Sequence, residues 1–219
     1  MNNRKKIKIA LVGNPNCGKT SVFNLLTGLH QKTGNFPGIT VDRKIGNFNI
    51  NDNYSIQLID LPGTYSLYPL SKDERIVIQS LLQKSDENYP ELIIYVVDST
   101  HLEKNLLLFT QIRDLGIPIV MALNMTDIAN ANGLEINAVK LSKKLHTPVV
   151  KISGRTGEGL LDLKESIKTL YEKLSISKIE TCNCFYTLGE NEKTIAKEFQ
   201  NIFPDYNEYQ SLVIAHHYD

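Results

Sequence analysis

Six short strand-like runs, continuously apolar or alternating apolar with polar, punctuate the chain at residues 7–12, 45–50, 54–59, 92–97, 117–123 and 148–152. Each is bounded by polar or turn-forming residues and is too short for a buried helix, so each reads as a strand. Segments with apolar residues every three or four positions lie between most of them. S-V-F-N-L-L-T follows Thr20, L-E-K-N-L-L-L-F-T-Q-I-R-D-L runs up to Gly116, and L-L-D-L-K-E-S-I-K-T-L-Y-E-K-L begins at Leu160. These are helices with one buried face. The alternation predicts an α/β fold: a mostly parallel six-stranded sheet with helices on both sides. I-G-N-F-N-I and Y-S-I-Q-L-I are joined by N-D-N and form an antiparallel hairpin at one edge.

After Leu174 the pattern lapses into S-I-S-K-I-E-T-C-N-C, then resumes as two helical stretches, one stopped by Pro204 and one reaching the last residues. The reading is therefore a first domain over residues 1–172 and a partial helical subdomain over 173–219. The final stretch carries apolar residues and no helix-ending signal, which predicts that the helical part continues beyond Asp219.

Composition narrows the class. Lys plus Arg and Asp plus Glu number 24 each, so the chain lacks the basic excess of a dedicated nucleic-acid binder, and no nucleic-acid partner is expected. The longest apolar run, L-I-I-Y-V-V, is far short of the roughly 20 residues that cross a bilayer. The polar, basic start holds no secretory signal, which predicts a cytoplasmic location. Cys182 and Cys184 have no Cys/His pair nearby in sequence to complete a metal site and read as incidental thiols.

The chemistry is concentrated in loops after the strands. G-N-P-N-C-G-K-T follows the first strand and opens the first helix. Its spacing turns successive backbone N–H groups toward di- or triphosphate oxygens, with Lys19 neutralising them and Thr20 placing a hydroxyl on Mg²⁺. The phosphate loop comprises Gly13, Asn14, Pro15, Asn16, Cys17, Gly18, Lys19, Thr20 and Ser21. D-L-P-G follows the third strand, where Asp60 can order a water on Mg²⁺ and Gly63 can offer its N–H to a γ-phosphate. N-M-T-D follows the fifth. Its Asp127 can accept from both the ring imino and the exocyclic amine of guanine, a donor pair that adenine lacks. Asn124 and Met125, in the same loop, are expected to contact the nucleotide. S-G-R-T-G-E-G supplies three further residues expected to bind nucleotide, Ser153, Gly154 and Arg155, and the Gly154 N–H can reach the guanine carbonyl.

Between the first two motifs, Gly34, Pro37 and Gly38 make residues 34–40 a loop able to order and disorder. Within it Gly38 and Ile39 contact nucleotide, and Thr40 binds Mg²⁺ when a γ-phosphate is present. Asn16, Lys19, Thr40 and Gly63 are the residues expected to act on the reacting phosphate. A glutamine that orients water in Ras-like enzymes is replaced here by Thr64, which predicts slow turnover. Asp73 and Glu74 read either as water-positioning groups or as acid at a helix start.

Together, G-N-P-N-C-G-K-T-S-V-F-N, G-N-F-P-G-I-T-V-D-R-K, D-L-P-G-T-Y-S-L and N-M-T-D resemble the N-terminal G domain of FeoB, the bacterial ferrous iron transporter family. The likeness is close over about residues 5–170. The tail from about 175 resembles part of the helical spacer that follows that domain. The resemblance implies a Ras-like P-loop fold with GTP or GDP as ligand and Mg²⁺ as cofactor. It also implies a GTPase switch on the cytoplasmic side of a bacterial cell membrane, joined to a C-terminal transmembrane transporter domain. Asn16 is similar to the asparagine of potassium-activated GTPases, which implies a K⁺ ion among Asn16, phosphate oxygens and carbonyls of residues 34–38. A loop asparagine that merely caps the turn is the competing account. A soluble potassium-activated GTPase of ribosome assembly or tRNA modification shares these loops, and a nucleotide sensor with little catalysis stays open. Monomer and homo-oligomer both stay open.

Overall fold

The computed structural model describes residues 4–28, 31–35, 42–69, 71–176 and 184–217. Strands β1 (Lys5–Gly13), β4 (Tyr54–Asp60), β5 (Leu92–Asp98), β6 (Ile119–Asn124) and β7 (Val149–Lys151) pair in parallel. β3 (Asp42–Asn49) pairs antiparallel with β4, and β2 (Gln31–Asn35) pairs antiparallel with β3. The sheet order is β2-β3-β4-β1-β5-β6-β7. All six expected strands are present, and a seventh, β2, lies outside the hairpin. Gly34 therefore belongs to a strand, where the sequence suggested loop. Residues 36–41, with Gly38, Ile39 and Thr40, lie outside the described residues, as does Cys182.

The strands read as near-continuous apolar runs because both faces are covered. Period-two alternation divides them: Ile7, Ile9 and Leu11 of β1 point to one side, Ala10 and Val12 to the other. The first side is roofed by α1 (Lys19–Thr27) and α6 (Leu160–Ile176), through Val22, Phe23, Leu163 and Ile167. The second is roofed by α2 (Lys72–Leu82) and α3 (Leu102–Asp114), with α5 (Ala138–Leu145) toward β7. The short helix α4 (Thr126–Ala131) follows β6. In the N-D-N turn the Asn51 side chain accepts from the N–H groups of Asn53 and Tyr54, which closes the hairpin.

α6 runs unbroken past the expected boundary at residue 172 to Ile176. The later helices α7 (Glu190–Ile202) and α8 (Glu208–Ala215) put Ala196, Tyr209, Leu212, Val213 and Ile214 into the second core cluster, beside α2 and α3. The apolar residues of α8 are thus already covered by this part of the chain. Among the described residues no helix is long and apolar enough to cross a membrane.

Candidate functional site at the carboxyl edge of the sheet

Parallel pairing brings the carboxyl ends of β1, β4, β5 and β6 to one edge, so Gly13, Asp60, Asp98 and Asn124 open onto the same space. The phosphate loop turns from β1 into α1 through two left-handed residues, Asn16 (φ 64°) and Gly18 (φ 85°). Only glycine suits position 18, since a Cβ there would fall 2.2 Å from Asn124 Nδ2. Lys19 Nζ donates to the carbonyls of Gly13 (3.2 Å) and Asn14 (3.3 Å), so its ammonium hangs over the loop. Gly63 lies against it: a Cβ there would be 3.0 Å from Lys19 Nζ and 3.0 Å from Pro15 Cα. Thr20 and Ser21 sit exposed in the first turn of α1. Asn16 is exposed as well, and its side chain makes no hydrogen bond among the described residues.

Asp60 faces this cradle. Its Oδ1 is buried without a hydrogen-bond partner among the described residues, and burial pushes its carboxyl up, against the pull of Lys19 and Lys44. A buried acceptor that the chain itself leaves unsatisfied suits an outer ligand of a hydrated divalent cation. Asp98, at the next strand end, instead accepts from Thr100 and contacts His101, capping the 3-10 turn Ser99–His101.

The base side of the site is a backbone frame. Asn124 donates from Nδ2 to the Cys17 carbonyl (2.9 Å) and accepts at Oδ1 from the Gly154 N–H (2.7 Å). It therefore staples the phosphate loop to the 153–155 loop, where the sequence suggested direct contact with the nucleotide. The Gly154 N–H expected to meet the guanine carbonyl is already engaged in that staple. Met125 is held left-handed (φ 61°), and the Thr126 hydroxyl donates to the Ile152 carbonyl. This leaves Asp127 half-buried, ion-paired to Arg155, whose hydrogen bond holds the Asp127 carboxyl below the usual carboxylate range. Ser153 is buried and its Oγ accepts from the Thr156 N–H.

Asn14, expected in the phosphate loop, and Thr64, which stands in place of the glutamine, both turn inward. Asn14 is 3% exposed; its amide donates to the Lys104 carbonyl, so only its backbone faces the cradle. Behind it the Tyr95 hydroxyl donates to the Asn105 carbonyl (2.7 Å) and reaches Asn14 Oδ1 (3.3 Å). The sequence carried a signal for this support: a phenol in the middle of L-I-I-Y-V-V needs a polar partner once buried. Thr64 is fully buried, its hydroxyl shared between the Ser66 carbonyl and Glu74 Oε1, so it is not aimed at a reacting water. Glu74 is thereby held against the turn, and its N–H is capped by Ser71.

The sequence profile of ferrous iron transport protein B matches residues 7–167. The chain belongs to that family. The Fe(2+) transport protein A/Fe(2+) transporter FeoB fusion protein of Porphyromonas gingivalis is 46% identical over 166 residues, which cover 76% of this chain and 19% of that protein. The chain thus spans about a fifth of the length of this curated FeoB relative. Among solved structures, the cytosolic domain of the T. maritima FeoB iron transporter in a GDP form superposes with a TM-score of 0.79 at 38% identity, covering 94% of this chain and 79% of that one. The same domain in its GMPPNP form gives 0.74 at 38% identity, covering 93% and 78%. FeoB relatives therefore share the fold and a substantial part of the sequence over this span.

Proposed function

We propose that this FeoB-family chain is a GTP-binding and slowly GTP-hydrolysing switch domain that regulates or powers ferrous iron uptake by a membrane transporter, from its cytoplasmic side. The observation that carries the reading is the Asn124 staple, which fastens a phosphate cradle to a loop ending in the ionised Asp127. The FeoB relatives solved in GDP and GMPPNP forms support the ligand class.

The residues divide the work. Backbone N–H groups of residues 13–21 and the Lys19 ammonium hold the phosphates, and the Gly63 N–H meets the terminal one. Asp60, with the Thr20 hydroxyl, would hold Mg²⁺, and Thr40 would join them. When bound, Mg²⁺ neutralises charge on the β- and γ-phosphate oxygens. Asp127 takes both guanine donors, while the guanine carbonyl must share the Gly154 N–H with Asn124 or take its neighbour. The exposed Asn16 amide, unbonded among the described residues, suits a K⁺ ligand better than a turn cap. With Thr64 buried, no side chain at the usual position orients water, and turnover is slow.

Asp127→Asn tests the base site. It should weaken GDP by roughly ten- to hundredfold, the scale of a lost buried pair, while xanthosine diphosphate gains relative affinity. No gain for the xanthine nucleotide would overturn the assignment. For the ion, hydrolysis should rise about tenfold in potassium over sodium, and Asn16→Ala should abolish that rise while keeping GDP affinity.

A further inference from the structure

The carboxylate assigned to base recognition already has a ligand from its own chain. Arg155 donates from Nε to Asp127 Oδ2 at 2.9 Å, and Arg155 Nη2 lies 2.6 Å from the same oxygen. A carboxylate oxygen offers two lone pairs, and here two N–H groups converge on one oxygen. Oδ2 is filled. Guanine needs both oxygens, because its imino and amine N–H groups point in parallel, as the two prongs of a guanidinium do. The base edge and Arg155 are therefore the same kind of ligand for the same group.

We infer that Arg155 is an internal competitor of guanine, which must be drawn off Asp127 Oδ2 before the base can seat both donors. The inference rests on the proposed role of Asp127 and adds that Arg155 sets guanine affinity downward. Opening the pair requires only a side-chain movement. The loop backbone is fixed by bonds from Ser153 N–H to the Glu158 carbonyl, Gly157 N–H to the Ser153 carbonyl, and Gly154 N–H to Asn124. The Arg155 side chain is 77% exposed against 15% for Asp127, so the released guanidinium passes into water while the carboxylate stays in the site. An ion pair with one such exposed partner is weak enough to be exchanged for a base. If Arg155 served instead to orient Asp127 for the base, its removal would weaken binding.

The two accounts predict opposite signs. GDP affinity and association rate are measured on the full chain for the parent, Arg155→Gln and Arg155→Lys at low and moderate salt, with thermal melts as a folding control. Arg155→Gln should bind GDP about two- to fivefold more tightly, with the gain in the association rate. Arg155→Lys, a single-point donor, should fall between. The advantage of Arg155→Gln should shrink as salt screens the parent's ion pair. Equal or weaker GDP binding by a folded Arg155→Gln overturns the competition, as does an advantage that salt leaves unchanged. Asp127→Asn in the same series separates the two readings. An Asp127→Asn chain that keeps full GDP affinity defeats the base assignment itself, whereas a normal switch toward xanthosine diphosphate alongside a weaker Arg155→Gln defeats only the competition.

Discussion

At Asp60 the fold buries a carboxylate oxygen that no described group of the chain satisfies. Burial raises its folded-state pKa, so the folded state holds its proton to higher pH than the unfolded chain, and stability falls as pH rises through that window. Asp60→Asn removes the charge and should stabilise the nucleotide-free protein by about 1–3 kcal/mol at neutral pH. It should also weaken Mg²⁺-dependent nucleotide binding; a melting temperature that does not rise would count against a strained carboxylate held for a ligand. Asp127 has the opposite sign. Its pKa is depressed by Arg155, so its contribution is present above the unfolded value and is lost as acid protonates the folded carboxylate. At this scale the sequence placed the motif loops at one edge of the sheet but did not show which groups their side chains meet. Spacing puts Asn14, Asn124 and Gly154 in the right loops, but whether an amide faces a ligand or another loop depends on contacts across as many as 107 positions. No local pattern encodes that distance.

The segment after D-L-P-G shows how elements are joined. The Leu67 N–H donates to Gln111 Oε1 on α3 (2.9 Å), and its carbonyl lies 2.9 Å from His217 Nε2, just past α8. Tyr68 packs its ring against His216 and His217, with centroids 5.7 and 6.3 Å away. The backbone leading away from Gly63 is thus held by α3 and by the residue just past α8. His217→Ala leaves the Leu67 carbonyl short of a partner and should cost about 1 kcal/mol. Amide exchange should quicken around residues 66–68, and unchanged protection there would mean that α3 alone holds the segment. The six strands and the principal helices were legible because a strand covered on both faces reads as a short apolar run and a helix covered on one face reads as period 3.6. β2 was not: Q-K-T-G-N has no apolar alternation, and its place at the edge rests on backbone pairing with β3.

Across the whole molecule the tail is part of the core. The Asp114 carboxylate accepts from the N–H groups of Phe185 and Tyr186, both at 2.8 Å, and Asn207 and Gln210 donate to the carbonyls of Asp114 and Leu115. The Tyr206 hydroxyl donates to the Leu82 carbonyl at the end of α2. The composition changes after Leu174, where a helical subdomain is expected, and its residues Leu188, Ala196, Leu212 and Val213 share one apolar cluster with Leu82, Ile112 and Leu115. Composition marks where a chain stops being regular, and says nothing about which surface it returns to. Ending the chain after Ile176 should therefore expose part of the α2–α3 face while leaving β1, β4, β6 and the loops of the nucleotide cradle intact. Each buried aliphatic side chain contributes roughly 1.5–3 kcal/mol, and the entropy of ordering the tail offsets much of the total. A net loss of about 2–5 kcal/mol is expected, read as a lower urea midpoint, with GDP binding retained. If the shortened chain unfolds at the parent's midpoint, the tail is an independent unit resting on the fold; if it loses GDP binding while still folded, the tail supports the site through the Leu67 segment as well as the core.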